Sequence, residues 1–233
     1  MKTVELSFPV LGESLPTDQG YSLYSCLSKL IPKLHDNMCK IMVRPIAGQY
    51  LGEGQIRLDR KRSRLRIRLP TEEILTFLTL AGKPLVVDVH KIRLGVPQIQ
   101  TLIPAPSLFS RIVMIKSSSP RKDPTDKHSR EKSLTKRYLL PEAFLEACRQ
   151  KLDEIGVGGQ IHFPLIQNGE HEGKPRRQVM RIKGKQVVGF SVLVNGLTDE
   201  ESLILQENGI GGRRKMGCGW FGATKMEGKD HGV

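Results

Sequence analysis

Aromatic side chains are scarce, at 5% of the residues, so a packed core in this chain must rest on Leu, Ile and Val. Long apolar runs are missing. None approaches the roughly 18 residues needed to cross a bilayer. The opening MKTVELSFPVLGESLP has neither the apolar segment nor the small-residue cleavage site of a secretory signal. A cytosolic protein with no membrane partner is expected. The four cysteines (Cys26, Cys39, Cys148, Cys218) form no C-x-x-C pair, which argues against a zinc site and, in a reducing compartment, against a disulfide framework. The six histidines form no H-E-x-x-H or H-x-H, so no metal site is expected. Nor is there a G-x-x-x-x-G-K-[ST] or a G-x-G-x-x-G running into a helix, so no nucleotide cofactor is expected.

Acids are also in short supply: 24 Asp plus Glu against 37 Lys plus Arg leaves a net charge of +13 over 233 residues. Such an excess points to a polyanion, either nucleic acid or an anionic membrane. Membrane binding calls for a basic amphipathic helix. Here the basic residues fall in strand-like and loop-like stretches instead, which favours nucleic acid.

The hydrophobic pattern reads as two similar units. Residues 2–10 alternate as a strand, and Asp18 is placed to cap a helix that follows. Leu23, Leu27, Leu30 and Leu34 recur at helical spacing, with Pro32 expected to end or kink that helix. Strands are expected around 39–46, 55–58 and 63–69. A helix over 71–80, capped by Thr71, precedes strands at 84–90 and 92–96. The order β-α-β-β-α-β is that of a ferredoxin-like unit. It then begins again. A strand at 110–116 is followed by a polar insertion over 117–136, expected to be mobile, and a helix over 141–155. A short strand lies at 160–164. A hairpin over 178–195 turns at Lys183-Gly184-Lys185. A helix over 198–208 opens with the capping box T-D-E-E, and a last strand is expected at 217–221. The fold expected is α+β, two tandem ferredoxin-like (RRM-like) units, 1–104 and 105–233.

Two cationic clusters stand out. In RKRSRLRIRL, residues 60–69, Leu65, Ile67 and Leu69 alternate with Arg64, Arg66 and Arg68, and Arg62 extends the cationic row. Same-face residues repeat every ~6.6 Å along a strand, close enough to meet successive phosphates, and the guanidinium fork suits phosphate. The second cluster, Arg176, Arg177, Arg181, Lys183 and Lys185, surrounds the expected hairpin and serves either nucleic-acid contact or solubility. A third basic stretch, GIGGRRKMGCG at 209–219, joins the last helix to the last strand. Its Gly209, Gly211, Gly212, Gly217 and Gly219 allow close backbone approach to phosphate, and Arg213, Arg214 and Lys215 add charge there. Gly209 is also placed to end the helix.

Of the histidines, His35 falls on a stripe with Tyr24, Ser28 and Ile31 on one flank of the first helix. An imidazole there serves either proton transfer or capping of helix-end carbonyls.

GIGGRRKMGCG has the form G-h-G, five residues, G-h-G, where h is apolar. With GYSLYSCLSKLIPKLH, RLRIRLP, AGKPL, RLGVPQI, MRIKGKQVVGF and GLTDEESLILQENGIGGRRKMGCGWF, in this order, the chain resembles the CRISPR-associated endoribonucleases that cut precursor guide RNA within its repeats. Their MYXAN-type variant is the nearer pattern, and the resemblance covers most of residues 5–221. It implies tandem ferredoxin-like units and metal-independent cleavage without a cofactor, leaving a 2′,3′-cyclic phosphate and a 5′-hydroxyl. It implies His35 as the catalytic histidine, with Tyr24, Ser28 and Lys40 its partners by position and the general base unassigned. The partners implied are a repeat stem-loop RNA and other Cas subunits of a guide-RNA complex. A non-catalytic repeat-binding subunit of the same fold, or a basic ribosome- or DNA-associated protein, are the rival readings.

Overall fold

A computed structural model describes residues 2–36, 40–115 and 140–223. The expected polar insertion, Cys39, His128 and His231 lie outside these residues. In the first half, β1 (Thr3–Leu11), β3 (Met42–Arg44), β6 (Arg64–Pro70) and β9 (Gln98–Thr101) form an antiparallel sheet in the order β9-β1-β6-β3. With α1 (Gly20–Leu30) after β1 and α2 (Ile74–Leu78) after β6, this is the ferredoxin-like arrangement. In the second half the order is β14-β10-β13-β11, from β10 (Ser107–Val113), β11 (Gln160–His162), β13 (Lys185–Asn195) and β14 (Gly222–Ala223). Here α3 (Pro141–Asp153) and α4 (Asp199–Asn208) are the two helices. The α+β fold with two tandem ferredoxin-like units is therefore present.

Several additions decorate this frame. A small sheet of β2 (Ser14–Pro16), β5 (Gln55–Arg57) and β4 (Gln49–Gly52) sits beside the first unit. The strands expected at 84–90 and 92–96 form a hairpin, β7 (Pro84–Val87) with β8 (His90–Leu94), that pairs with the end of β1. The fourth strand of the unit is instead β9, four exposed residues whose ladder with β1 runs from Val4↔Thr101 to Ser7↔Gln98. A strand pairing that arises from tertiary contact leaves little trace in a sequence of this polarity.

Each unit buries its own core. Leu6, Phe8, Leu65 and Ile67 meet Leu23 and Leu27 of α1 in the first. In the second, Val192 and Val194 meet Phe144, Cys148 and Leu152 of α3. The expected capping box at Thr198 is made in full, with Glu201 returning to the Thr198 backbone. Two other expected caps are not made. No side chain caps α1, and Asp18 instead accepts the Arg181 N–H at 2.8 Å. No side chain caps the second helix, which starts as a 3-10 turn over Thr71–Glu73. No described helix is long and apolar enough to cross a membrane.

Candidate functional site

Pro32 lacks the N–H that a continuing helix would need, so α1 ends at Leu30 and a single 3-10 turn, Pro32–His35, follows. The turn nevertheless keeps the expected stripe partly intact. The half-buried Tyr24 reaches the exposed His35, its Oη 3.2 Å from Nδ1 with the rings edge-on at 5.9 Å. When Tyr24 donates to Nδ1, the neutral imidazole carries its proton on Nε2, facing away from the tyrosine. Ser28 does not join them. It is buried, and its hydroxyl donates to the Ser25 carbonyl at 3.1 Å, because that flank of α1 turns into the protein. The Ser28 hydroxyl is thus engaged within α1 and not with His35.

The glycine stretch docks beside this pair. Arg214–Met216 forms a 3-10 turn lying against the start of α1: a Cβ on Gly20 would overlap the Met216 carbonyl oxygen. On the other side Gly217, at φ +92°, lies so close to Pro45 that a Cβ there would overlap its ring. The Lys215 ammonium donates to the Leu34 carbonyl at 3.0 Å and to the Asp36 carbonyl, one on each side of His35. Lys40 donates to Asn208 Oδ1 at 3.1 Å, and Arg214 donates to the Asn208 carbonyl at 2.6 Å. Burial holds the Arg214 guanidinium below its ordinary pKa. His35, Tyr24, Lys40, Arg214 and Lys215 are thus gathered where the loop meets α1.

Gly209 ends α4 as expected, its N–H donating to the Leu205 carbonyl, and the glycines pack closely against protein. Gly212 N–H donates to Met114 O at 2.8 Å and Gly219 N–H to Ile112 O at 2.7 Å, so these amides serve the end of β10 and not a phosphate. Gly209 and Gly211 are packed in the same way, against the carbonyls of Gly219 and Met114. Together with Gly217 against Pro45, the five glycines permit backbone-to-protein packing. The segment expected as a last strand, 217–221, is largely this packed loop, and β14 follows it. Cys218 is buried beneath it beside Ile112, Met114 and Met180, and burial pushes its thiol up to about 12.

The arginines of β6 lie elsewhere. Leu65, Ile67 and Leu69 face the core under α1, so Arg64, Arg66 and Arg68 face the opposite side of the same sheet. That side, with the facing surface of the second sheet, forms a cleft of about 1240 Å³ lined by Arg44, Arg62, Arg64, Arg66, Arg111 and Arg176, among others. Phe109 and Trp220 contribute rings to it, and among the described residues Glu5 and Asp18 are its only acids. Arg44 and Arg111 touch water yet are walled in by the cleft. Both are held below their ordinary pKa, by desolvation first, with Arg66 adding repulsion at Arg44 and Arg176 at Arg111. Cations crowded in this way are relieved by an anion between them.

Arg68 is the exception in its row. Only 4% exposed, it pairs with Glu5 at 3.2 Å and donates to the Gln206 and Phe221 carbonyls at 2.9 and 2.6 Å. Its guanidinium lies 4.1 Å from the centre of the Trp220 ring. It lines the floor of the cleft and bridges the two units, with its guanidinium taken up by protein groups. The second cluster divides: Arg176 lines the cleft, while Arg177, Arg181 and Lys183 are exposed along the β12 (Arg177–Ile182)–β13 hairpin. Among the described residues no three His, Cys, Asp or Glu side chains are grouped as metal ligands.

Two ferredoxin-like units enclosing an arginine-lined cleft, with a tyrosine–histidine pair against a glycine loop, define an α+β protein with a strongly basic cleft and a candidate acid-base group. The family described as Cas6 Crispr matches residues 4–226, and the chain belongs to it. The chain is 35% identical over 227 residues to the CRISPR-associated endonuclease Cas6 of Myxococcus xanthus (strain DK1622), covering 95% of this chain and 81% of that protein. Among solved structures, a CRISPR associated protein Cas6 superposes with a TM-score of 0.60 at 16% identity, over 96% of this chain and 99% of that one. A Cas6-related protein of Pyrococcus furiosus does so with 0.59 at 12% identity, over 97% and 100%.

Proposed function

We propose that this protein is a metal-independent endoribonuclease that matures CRISPR guide RNA by cutting the repeat of the precursor, with His35 as general acid. The observation that carries this reading is the contact between Tyr24 Oη and His35 Nδ1 beside the glycine loop, in a chain of the Cas6 family whose Myxococcus relative is a CRISPR-associated endonuclease.

The chemistry is an internal transfer. The ribose 2′-oxygen attacks the adjacent phosphorus, its proton passing to a base that is left unassigned. The P–O5′ bond breaks, and His35, as the imidazolium, gives its Nε2 proton to the departing O5′ and is left as neutral imidazole. The products are a 2′,3′-cyclic phosphate and a 5′-hydroxyl. Tyr24 holds the ring through Nδ1, whose N–H donates to the Tyr24 hydroxyl in the imidazolium. Lys40 and Arg214 supply positive charge for the phosphorane dianion. The repeat hairpin is retained after the cut, in a guide-RNA complex with other Cas subunits, in the cytoplasm.

Incubation of the purified protein with its own repeat RNA in EDTA tests this reading on a denaturing gel. One cut at a fixed position is expected, the upstream fragment ending in a cyclic phosphate. RNA that is bound and never cut would make the protein a binding subunit instead.

The cleft arginines supply the track for RNA outside the cut site, by phosphate contact. Arg64→Ala with Arg66→Ala should weaken repeat binding at 150 mM salt by about 10-fold or more. Removing two phosphate contacts should also flatten the slope of log K against log salt by roughly 1.4 to 1.8. Unchanged affinity and slope would place the RNA outside the cleft. Arg62, Arg176, Arg177, Arg181, Lys183 and Arg213 extend this basic surface.

A further inference from the structure

The turn that carries His35 has little to hold it by itself. It is one 3-10 turn, closed by Leu34 N–H to Ile31 O and Asp36 N–H to Lys33 O, each at 3.0 Å. Hydrogen-bond geometry in such turns is poorer than in an α-helix, and a single turn gains nothing from neighbouring turns. Its fixed points come from outside. Leu34 is buried in the first core, and Lys33 pairs with Glu73. Tyr24 holds the ring. The backbone on both sides of the histidine is held by one side chain, Lys215, which donates to the carbonyls of Leu34 and Asp36.

Lys215 comes from the second unit, 181 and 179 positions along the chain from those carbonyls. Its placement follows from the loop around it. Gly217 against Pro45, Gly20 against Met216, and the donation from Gly212 to Met114 fix where the Arg214–Met216 turn lies. We infer that Lys215 is a positioning residue: it sets the backbone of the His35 turn so that Nε2 faces the scissile phosphate, and does not itself grip RNA. The effect of the lysine on cleavage rests on the reading of His35 as general acid; the hold on the turn does not. The consequence is that the catalytic histidine of one unit is aligned only when the loop of the other is docked.

A displacement of about 1 Å in a catalytic group can cost 100-fold in rate, which sets the expected scale. Lys215→Met keeps the length of the side chain and removes its donors. It should lower the single-turnover cleavage rate at saturating protein about 10- to 100-fold, while the Kd for repeat RNA changes less than about 3-fold and its salt slope is unchanged. Lys215→Arg, which still donates to carbonyls, should recover most of the rate. Combined with His35→Ala, Lys215→Met should cost nothing more, since the group it positions is gone. In the free protein, the His35 ring Cε1–H resonance should shift in Lys215→Met and return towards its original position in Lys215→Arg. Should Lys215→Met fail to fold, Lys215→Gln is read in the same way.

Cleavage at the wild-type rate with an unmoved ring resonance would overturn the proposal. So would a rate lost only through Kd with a shallower salt slope, the mark of a phosphate contact. If His35→Ala cuts normally, the general-acid reading fails, and the ring resonance alone then decides whether Lys215 holds the turn.

Discussion

His35→Ala is expected to bind repeat RNA with the wild-type Kd and to cut it about 10³-fold more slowly in EDTA. A positioned general acid contributes on the order of 10²- to 10⁴-fold, and 10³-fold corresponds to about 4 kcal/mol of barrier. Binding should survive because His35 stands on an exposed turn on the α1 side of the first sheet, whereas the arginine track lies on the opposite side. Among the described residues the imidazole's partner is the Tyr24 hydroxyl, so the fold should tolerate its loss. The measurement is a single-turnover time course beside a binding curve on the same RNA. A parallel loss of affinity would recast His35 as an RNA contact.

Arg68→Met should produce the largest loss of stability. Arg68 and Glu5 are almost wholly enclosed, 4% and 6% exposed, and the methionine would leave the buried Glu5 carboxylate without its hydrogen-bonded partner, with Arg66 at 3.6 Å and the attraction of Arg44 as partial compensation. Breaking a buried pair from one side costs about 3–5 kcal/mol. Burial has already pulled the Arg68 guanidinium down to about 10, against the opposing attraction of Glu5, so dehydration outweighs the attraction of the pair. Removing both charges, as Glu5→Leu with Arg68→Met, should therefore recover much of the loss. Because the bonds to Gln206 and Phe221 cross from one core to the other, unfolding of the single variant in urea should separate into two transitions. A single transition displaced by less than about 1 kcal/mol would deny Arg68 this role.

The same residue marks where a sequence can be read and where it cannot. Alternation over 64–69 gives correctly which arginines share a face. It cannot show that Glu5, 63 positions away, stands opposite Arg68 in the ladder between β1 and β6, nor that Gln206 and Phe221 close over it. The Tyr24–His35 pair was legible from helical spacing even though the helix stops at Leu30, because the following turn advances His35 to nearly the same flank. Ser28 shares that spacing but not the exposure, since which flank of α1 is covered depends on how the helix sits on its sheet. Glycine permits close approach of any kind, so the stretch alone does not distinguish a phosphate from protein as the approaching group. Here the approaching groups are the carbonyls of Ile112 and Met114 and the ring of Pro45, residues with no local relation to the loop. Its link to His35 through Lys215 is of the same long-range type.

One substrate isolates the protonation of O5′ by His35. A repeat RNA with sulfur in place of O5′ at the cut carries a leaving group that departs as a thiolate and needs no proton. His35→Ala, about 10³-fold slowed on the natural RNA, is predicted to cut this substrate within about 10-fold of the wild-type rate. If the variant leaves the sulfur-linked RNA as intact as the natural one, His35 is not the general acid.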